Sequence, residues 1–505
     1  MARRKSEPFK LYNKRVVPLV AVFFILGIYT IKLSAAVGAI TFACAAVFLF
    51  LLVRAKSLTV REAIVLAAFA ILGFALAFSS FTLYNEYGLK GVKEIRCRVT
   101  EVSVKEDTEN EGELLYSVVA DSITCNGKRE SGKISFRTAR KMAVGDRVAV
   151  TGKIRIRKLS LDSVFSAMQY RVGAKYAMDD PFVESRESGR APLSYSIRRK
   201  TLEVLTRSEG DRAGSFTYAM LFGDSSEMQK EDKTAMRAIG VAHVFAVSGL
   251  HVGVLSAAIL FLLKKLRAKN WVLFFSMLPI LGFYAYVCDF TPSVLRASIM
   301  VLLSLAANAL GMRYDGLSSV SFAAIAILLF KPLYLFDLSF ILSFLSVLGI
   351  LSLSRPLERI FLRHKMRRSL AQSLAVSLAT SIAIAPVSAV AFGKITFMGI
   401  VMNLVVVPLA SVTYVASLVS VLLTFVYSGF GALFEGVQFL PLFIAELSVR
   451  ASELGKPQSY VFSAVEIAVY YAALLFAGNY SLASRKAKLI AAGSVACVML
   501  ALILA

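Results

Sequence analysis

Apolar residues run along this chain in long unbroken stretches separated by short charged ones. Residues 16–31, 34–53 and 63–83 each approach the ~20 residues that a hydrocarbon core of about 30 Å requires, and predict three membrane helices. From 88 to 183 the period changes to two. Ile95-Arg96-Cys97-Arg98-Val99 and the run from Arg147 to Ile156 alternate apolar with polar, and Asn126-Gly127 and Gly145-Asp146 supply turns. Several short strands, one of them interrupted by Gly152, suit a small β-barrel of OB type; another small barrel would share the pattern. Residues 184–240 mix charges of both signs with apolar positions and predict amphipathic linker helices on the outer surface or at the interface, without a span. Long apolar runs return at 241–263, 271–287, 293–311, 318–330, 336–354, 370–392, 396–427, 460–478 and 489–504. Pro408 breaks the stretch 396–427, which reads as a pair of short or re-entrant helices. Residues 431–448, with Glu435, Pro441 and Glu446, read as interfacial.

Composition narrows the class. Of 505 residues 57% are hydrophobic and 18% charged, and the mean hydropathy is +0.67. Soluble chains carry about 25% charged residues, so neither a soluble globule nor a disordered chain fits. The expected fold is a polytopic α-helical membrane protein of about 11 to 13 spans with an extracytoplasmic, OB-like β-barrel insert. Its parts are an N-terminal three-helix segment (1–87), the β domain (88–183), linker helices (184–240), a membrane core (241–430), and an interfacial helix with C-terminal membrane helices (431–505). Arg3-Arg4-Lys5 before the first apolar run resembles a signal peptide, but no small-residue cleavage site follows, so the run reads as an uncleaved helix.

The net charge of +24 divides by topology. With the N-terminus in the cytoplasm, the basic clusters at 54–61, 264–269, 355–368 and 485–488 fall on the same side, as the positive-inside rule asks. The β domain is then outside the membrane. Within it, residues 126–175 hold thirteen Lys/Arg against three acids. Lys128, Arg129, Arg137, Arg155, Arg157 and Lys158 beside Phe136, Phe165 and Tyr170 form a candidate face for single-stranded nucleic acid, through phosphate neutralisation and base stacking. A solvated barrel face, or one docked on anionic membrane lipid, would read the same way.

Polar residues at membrane depth are costly and tend to face protein or water. His243, Ser248, Gly249 and His251 stand at the mouth of one apolar run. The histidines are eight apart, about 80° around a helix, which can line one side of a cavity but lacks the spacing of a helical zinc pair. Ser248 and His251 suggest a nucleophile and base, yet no GxSxG elbow or assignable acid accompanies them. Helix packing through Gly249 and Gly253 is the plainer alternative. Arg296 is either a fixed positive charge facing an anionic substrate or a snorkelling interfacial arginine. Asp337 stands in an N-cap position, and Asn403 lies in the broken stretch near Pro408. No metal or cofactor site is expected. Cys97 and Cys125 share the β domain and are compatible with a disulfide or with two free thiols.

Taken together, Ala219-Met220-Leu221-Phe222-Gly223-Asp224, the stretch from His243 to Gly253, Pro292 to Met300, Phe336-Asp337 through Phe344, and Phe392-Gly393 with Asn403 and Pro408-Leu409 resemble the ComEC family of bacterial competence proteins. The resemblance covers most of residues 15–430. It implies an inner-membrane channel, not an enzyme, that passes one strand of incoming DNA to the cytoplasm, with the OB-like domain as a DNA contact. Implied partners are a competence DNA receptor, a cytoplasmic helicase or ATPase, and a separate nuclease, because the metallo-β-lactamase-like motif of many relatives is absent from this sequence. The rival expectation is a transporter or export permease for a smaller anionic solute.

Overall fold

The computed structural model describes residues 16–54, 58–85, 88–106, 114–157, 159, 173–241, 248–392, 398–427, 439–454 and 462–477. It opens with three apolar helices, α1 (Val16–Tyr29), α2 (Ala35–Arg54) and α3 (Val60–Asn85). A reciprocal cap starts α3: the Thr59 amide donates to the Glu62 carboxylate at 2.7 Å and the Glu62 amide donates to the Thr59 hydroxyl at 3.2 Å. Helices α1 and α3 cross with no room for a side chain where Gly27 lies on the Ala70 backbone and Gly73 on that of Phe24. Small residues at such a crossing let two membrane helices approach backbone to backbone, which is where their attraction comes from once lipid surrounds them.

The chain then folds into a barrel of strands β1 (Gly91–Glu106), β2 (Leu114–Cys125), β3 (Lys128–Arg129), β4 (Lys133–Thr138), β5 (Arg147–Ile156) and β6 (Ala174–Glu187). The order β1-β5-β6-β4-β2 closes through a β1–β2 pairing, so five strands form a ring and the short β3 hangs on the end of β2. Among the described residues only β4 and β6 pair parallel. Asn126 and Gly127 both have positive φ, the backbone that a two-residue hairpin turn between β2 and β3 demands. Ile95, Val99, Val118, Ile134, Phe136, Val150, Ile154 and Tyr176 fill the interior. Between Thr151 and Lys153 the β5–β6 register sets Asp180 and Pro181 of β6 against the single Gly152 of β5, where a Cβ would stand 2.7 Å from Met178 Cγ. This bulge bends β6 round the barrel. The last strand runs on to Glu187, four residues past the expected boundary.

The barrel is fastened to the end of α3. The Asn85 side chain accepts from the Leu159 amide at 2.7 Å and donates to its carbonyl at 3.4 Å, while Lys175 Nζ donates to the Leu83 carbonyl at 3.0 Å. The lysine thus satisfies one of the carbonyls that every helix C-terminus leaves unpaired.

Helices α4 (Leu193–Glu209), α5 (Asp211–Phe222) and α6 (Lys230–Ala238) follow. They differ from the expected surface linker. Residues Phe216 to Leu221 of α5 are all buried, and with Leu205, Met236 and Ile239 they form one core with the helices that come later. The helices beyond are α7 (Gly249–Lys265), α8 (Asn270–Val287), α9 (Pro292–Ala309), α10 (Gly316–Phe330), α11 (Leu338–Arg363), α12 (Arg368–Phe392), α13 (Met398–Val426), α14 (Phe439–Leu454) and α15 (Ala464–Ala477). A second correction concerns α13. It is one helix of 29 residues running through Pro408, not a pair. Helix α14 packs its Ile444, Ala445 and Ala451 into the same core as α5 and α13. The apolar run at 489–504 lies outside the described residues.

Among the described residues seven helices are long and apolar enough to cross a membrane, α2, α3, α8, α9, α11, α12 and α13. Two shorter apolar helical segments, Val16–Lys32 and Gly316–Phe330, accompany them. The molecule is a polytopic helical membrane protein with a β-barrel inserted after its third helix.

Candidate functional site

Three helices begin at one place. Helix α7 starts at Ser248, whose hydroxyl accepts from the Leu250 amide at 3.2 Å, while His251 Nδ1 accepts from the Ser248 amide at 3.3 Å. The serine and histidine therefore close a capping box in which imidazole replaces the usual carboxylate. With Nδ1 accepting, the neutral ring carries its proton on Nε2. The pair that reads as a nucleophile and base in the sequence is a helix cap. His251 is buried and stacks on Tyr414 of α13, ring centroids 5.0 Å apart. Next to Tyr414 stands Tyr284 of α8, whose hydroxyl donates to the Leu221 carbonyl at 3.1 Å and so ties α8 to the end of α5.

Gly249, the first residue of α7, faces Arg296 in the first turns of α9, and a Cβ there would collide with the guanidinium. Arg296 is 6% exposed. Its Nη1 donates to the Ser343 carbonyl of α11, and the guanidinium carbon lies 5.9 Å over the Phe344 ring. It does not snorkel to the interface. Asp337 caps α11, its Oδ1 accepting from the amides of Ser339 at 2.8 Å and Phe340 at 3.2 Å. Two residues on, the hydroxyls of Ser339 and Ser293 meet at 3.4 Å, linking the starts of α11 and α9.

The structure thus brings Ser248, Gly249, His251 and Arg296 together, with Asp337 at the start of the helix that receives the arginine. Asn403 does not join them. It lies on α13 eleven residues before Tyr414, about 16 Å along the axis at 1.5 Å per residue, and donates to Ser377 of α12 at 3.4 Å. His243 lies outside the described residues. Tyr284, Tyr414, Ser293 and Ser343 were not singled out in the sequence. The four-residue spacing of Ser339 and Ser343 was a signal for the last, since it puts both on one side of α11.

On the barrel the candidates separate. Phe136 is 3% exposed and belongs to the interior, so it stacks on nothing outside. Neighbours on a strand point to opposite faces, and Arg137 is the outward one. Arg137, Arg155 and Arg157 gather near one another; burial lowers the Arg157 guanidinium below its ordinary value, Tyr84 opposes this, and the two arginines add to it. Arg155 shares its charge with Asp179 at 3.0 Å. Lys128 and Arg129 are exposed on β3, and Lys158, Phe165 and Tyr170 lie outside the described residues. Cys97 and Cys125 are free thiols in the barrel core, so the disulfide allowed for in the sequence is not formed.

A bundle of apolar helices with a closed barrel between the third and fourth, and a buried arginine where three helices start, defines a polytopic membrane protein with a polar centre. The sequence profile of the Competence protein family matches residues 220–484, just over half the chain, and the chain belongs to that family. It is 32% identical over 152 residues to ComE operon protein 3 of Bacillus subtilis (strain 168), a stretch covering 30% of this chain and 19% of that protein. It is 26% identical over 223 residues to an uncharacterized protein of Aquifex aeolicus (strain VF5), covering 44% and 49%. The matched stretches span half or less of these relatives. No solved structure matches.

Proposed function

We propose that this protein is a channel of the bacterial cytoplasmic membrane that passes single-stranded DNA inward during competence. In this reading the N-terminus is cytoplasmic, the barrel faces outward, the spans number eleven to thirteen, and a DNA receptor and a cytoplasmic ATPase act with it. The membership of residues 220–484 in the competence family carries the reading. The outward arginines of the barrel and the buried Arg296 support it, since a polyanion needs basic contacts along its route. Ser248, Gly249, His251, Arg296, Asp337 and Asn403 are proposed to border that route, and Arg137, Arg155 and Arg157 to meet the strand first.

The test is binding of fluorescent oligothymidylate to the full chain in lipid nanodiscs. Affinity is expected to fall with salt, with a log–log slope of about −0.7 per phosphate contacted, and to drop tenfold or more in Arg155→Glu/Arg157→Glu. Absence of binding at low salt would overturn the reading and favour a smaller anionic solute.

A further inference from the structure

Unmatched polar groups collect at the meeting of α7, α9 and α11. Arg296 Nε is buried without an acceptor, and no carboxylate lies within ion-pairing distance of this guanidinium among the described residues. The acids of the neighbourhood are committed elsewhere: Asp337 caps α11, and Asp289 holds Arg198 at 2.7 Å. The start of α9 has no side-chain cap, and the Thr291 hydroxyl at that position is buried without a partner, as is the Ser343 hydroxyl on α11.

A charge withdrawn from water costs several kcal/mol unless an opposite charge and hydrogen bonds repay it. The Ser343 carbonyl and the Phe344 ring repay part. Three helix N-termini, each the positive end of its dipole, raise the potential at the arginine further. A charge so placed calls for an anion, and the spare groups around it can all donate: a guanidinium N–H, two hydroxyls and the uncapped amides of α9. This donor set suits an oxyanion with more than one acceptor oxygen.

We propose that Arg296, Ser343 and the uncapped start of α9 form a binding site for a phosphate-type oxyanion, in class a phosphodiester. The choice of a phosphodiester rests on the DNA-channel reading; the anion site does not. A nucleic-acid backbone and a phospholipid headgroup share this chemistry, and the experiment separates them.

The full chain in nanodiscs is assayed for thermal stabilisation by inorganic phosphate against chloride at equal ionic strength, for binding of oligothymidylate, and for phosphatidylglycerol retained in native mass spectra. Phosphate is expected to raise the melting temperature of the natural protein and not that of Arg296→Gln. Arg296→Gln is also expected to weaken oligothymidylate at least tenfold and to reduce the salt slope by about 0.7, the loss of one phosphate. Gly249→Ala, which drives a methyl group into the guanidinium without changing charge, should act in the same direction. Arg296→Lys keeps the charge but loses the planar fork, so it should fold and bind less tightly than the natural protein, which guards against a misfolded glutamine variant. Arginine-dependent retention of phosphatidylglycerol with unchanged oligothymidylate binding assigns the site to a headgroup. An arginine-dependent phosphate effect without any oligothymidylate binding keeps the site and removes the DNA reading. If phosphate, oligonucleotide and lipid all behave alike in the natural protein and in folded Arg296→Lys and Gly249→Ala, the proposal is overturned.

Discussion

Cys97 is buried in the barrel interior, and burial pushes its thiol up to about 12, with Asp121 nearby adding in the same direction. The folded barrel therefore holds that proton more tightly than the unfolded chain does. The associated stability is complete below the ordinary thiol value of about 8.5 and drains away as the pH rises toward 12. Denaturant melts of the barrel, followed by proteolysis at pH 8, 10 and 11, should show stability falling over that window, and the fall should flatten in Cys97→Ala; an equal fall in both proteins refutes the assignment. Legibility at this scale was uneven. Period two alone puts Phe136 beside Ile134 inside and Arg137 outside, so the sequence already held the answer that the grouping of Phe136 with the basic residues missed. The partner of His251 was a different matter. Tyr414 is 163 positions away, and no local pattern announces a contact made by two helices that meet only after the bundle has assembled.

Among the elements, α1 and α3 depend on two glycines in the sense that a methyl group at either would enter the opposing backbone. Gly27→Ala and Gly73→Ala should each destabilise the protein by about 1–3 kcal/mol, the usual range for overpacking. Gly282 on α8 has nothing within 4 Å of an added Cβ, so Gly282→Ala should be neutral or gain up to about 1 kcal/mol from helix propensity. Thermal melts in detergent check the contrast, and equal melting temperatures for all three variants would refute it. Two elements escaped the sequence reading for definite reasons. Pro408 looks like a break, but in an apolar helix the chain has no water to take the freed carbonyl, and continuing the helix satisfies every other group; Pro279, Pro356 and Pro386 are housed in the same manner. Helix α5 is too polar to register as a span, and its burial comes from α13 and α14, which cover it from far along the chain. The Asn126-Gly127 hairpin was fully legible, because its cause is local.

At the scale of the molecule, the barrel sits over the end of α3 and beside the link between α10 and α11, close enough for Lys133 and Lys331 to feel each other's charge. A short amine-reactive cross-linker should join these two lysines in the natural protein. The link should weaken at least several-fold in Asn85→Ala/Lys175→Ala, as read by mass spectrometry of the cross-linked peptides. An unchanged yield would mean that other contacts hold the barrel in place.

That fastening also decides where a mechanical load would go. A pull on the barrel is passed by Asn85 and Lys175 to the tip of α3. From α3 it enters α1 through the glycine crossing, and from there Phe24 and Ile28 lean on Val320, Ala324 and Ile327 of α10. Tension is thereby led down the N-terminal flank of the bundle, and it reaches the start of α11, because Phe340 and Phe344 share that cluster with Phe24 and Ile28.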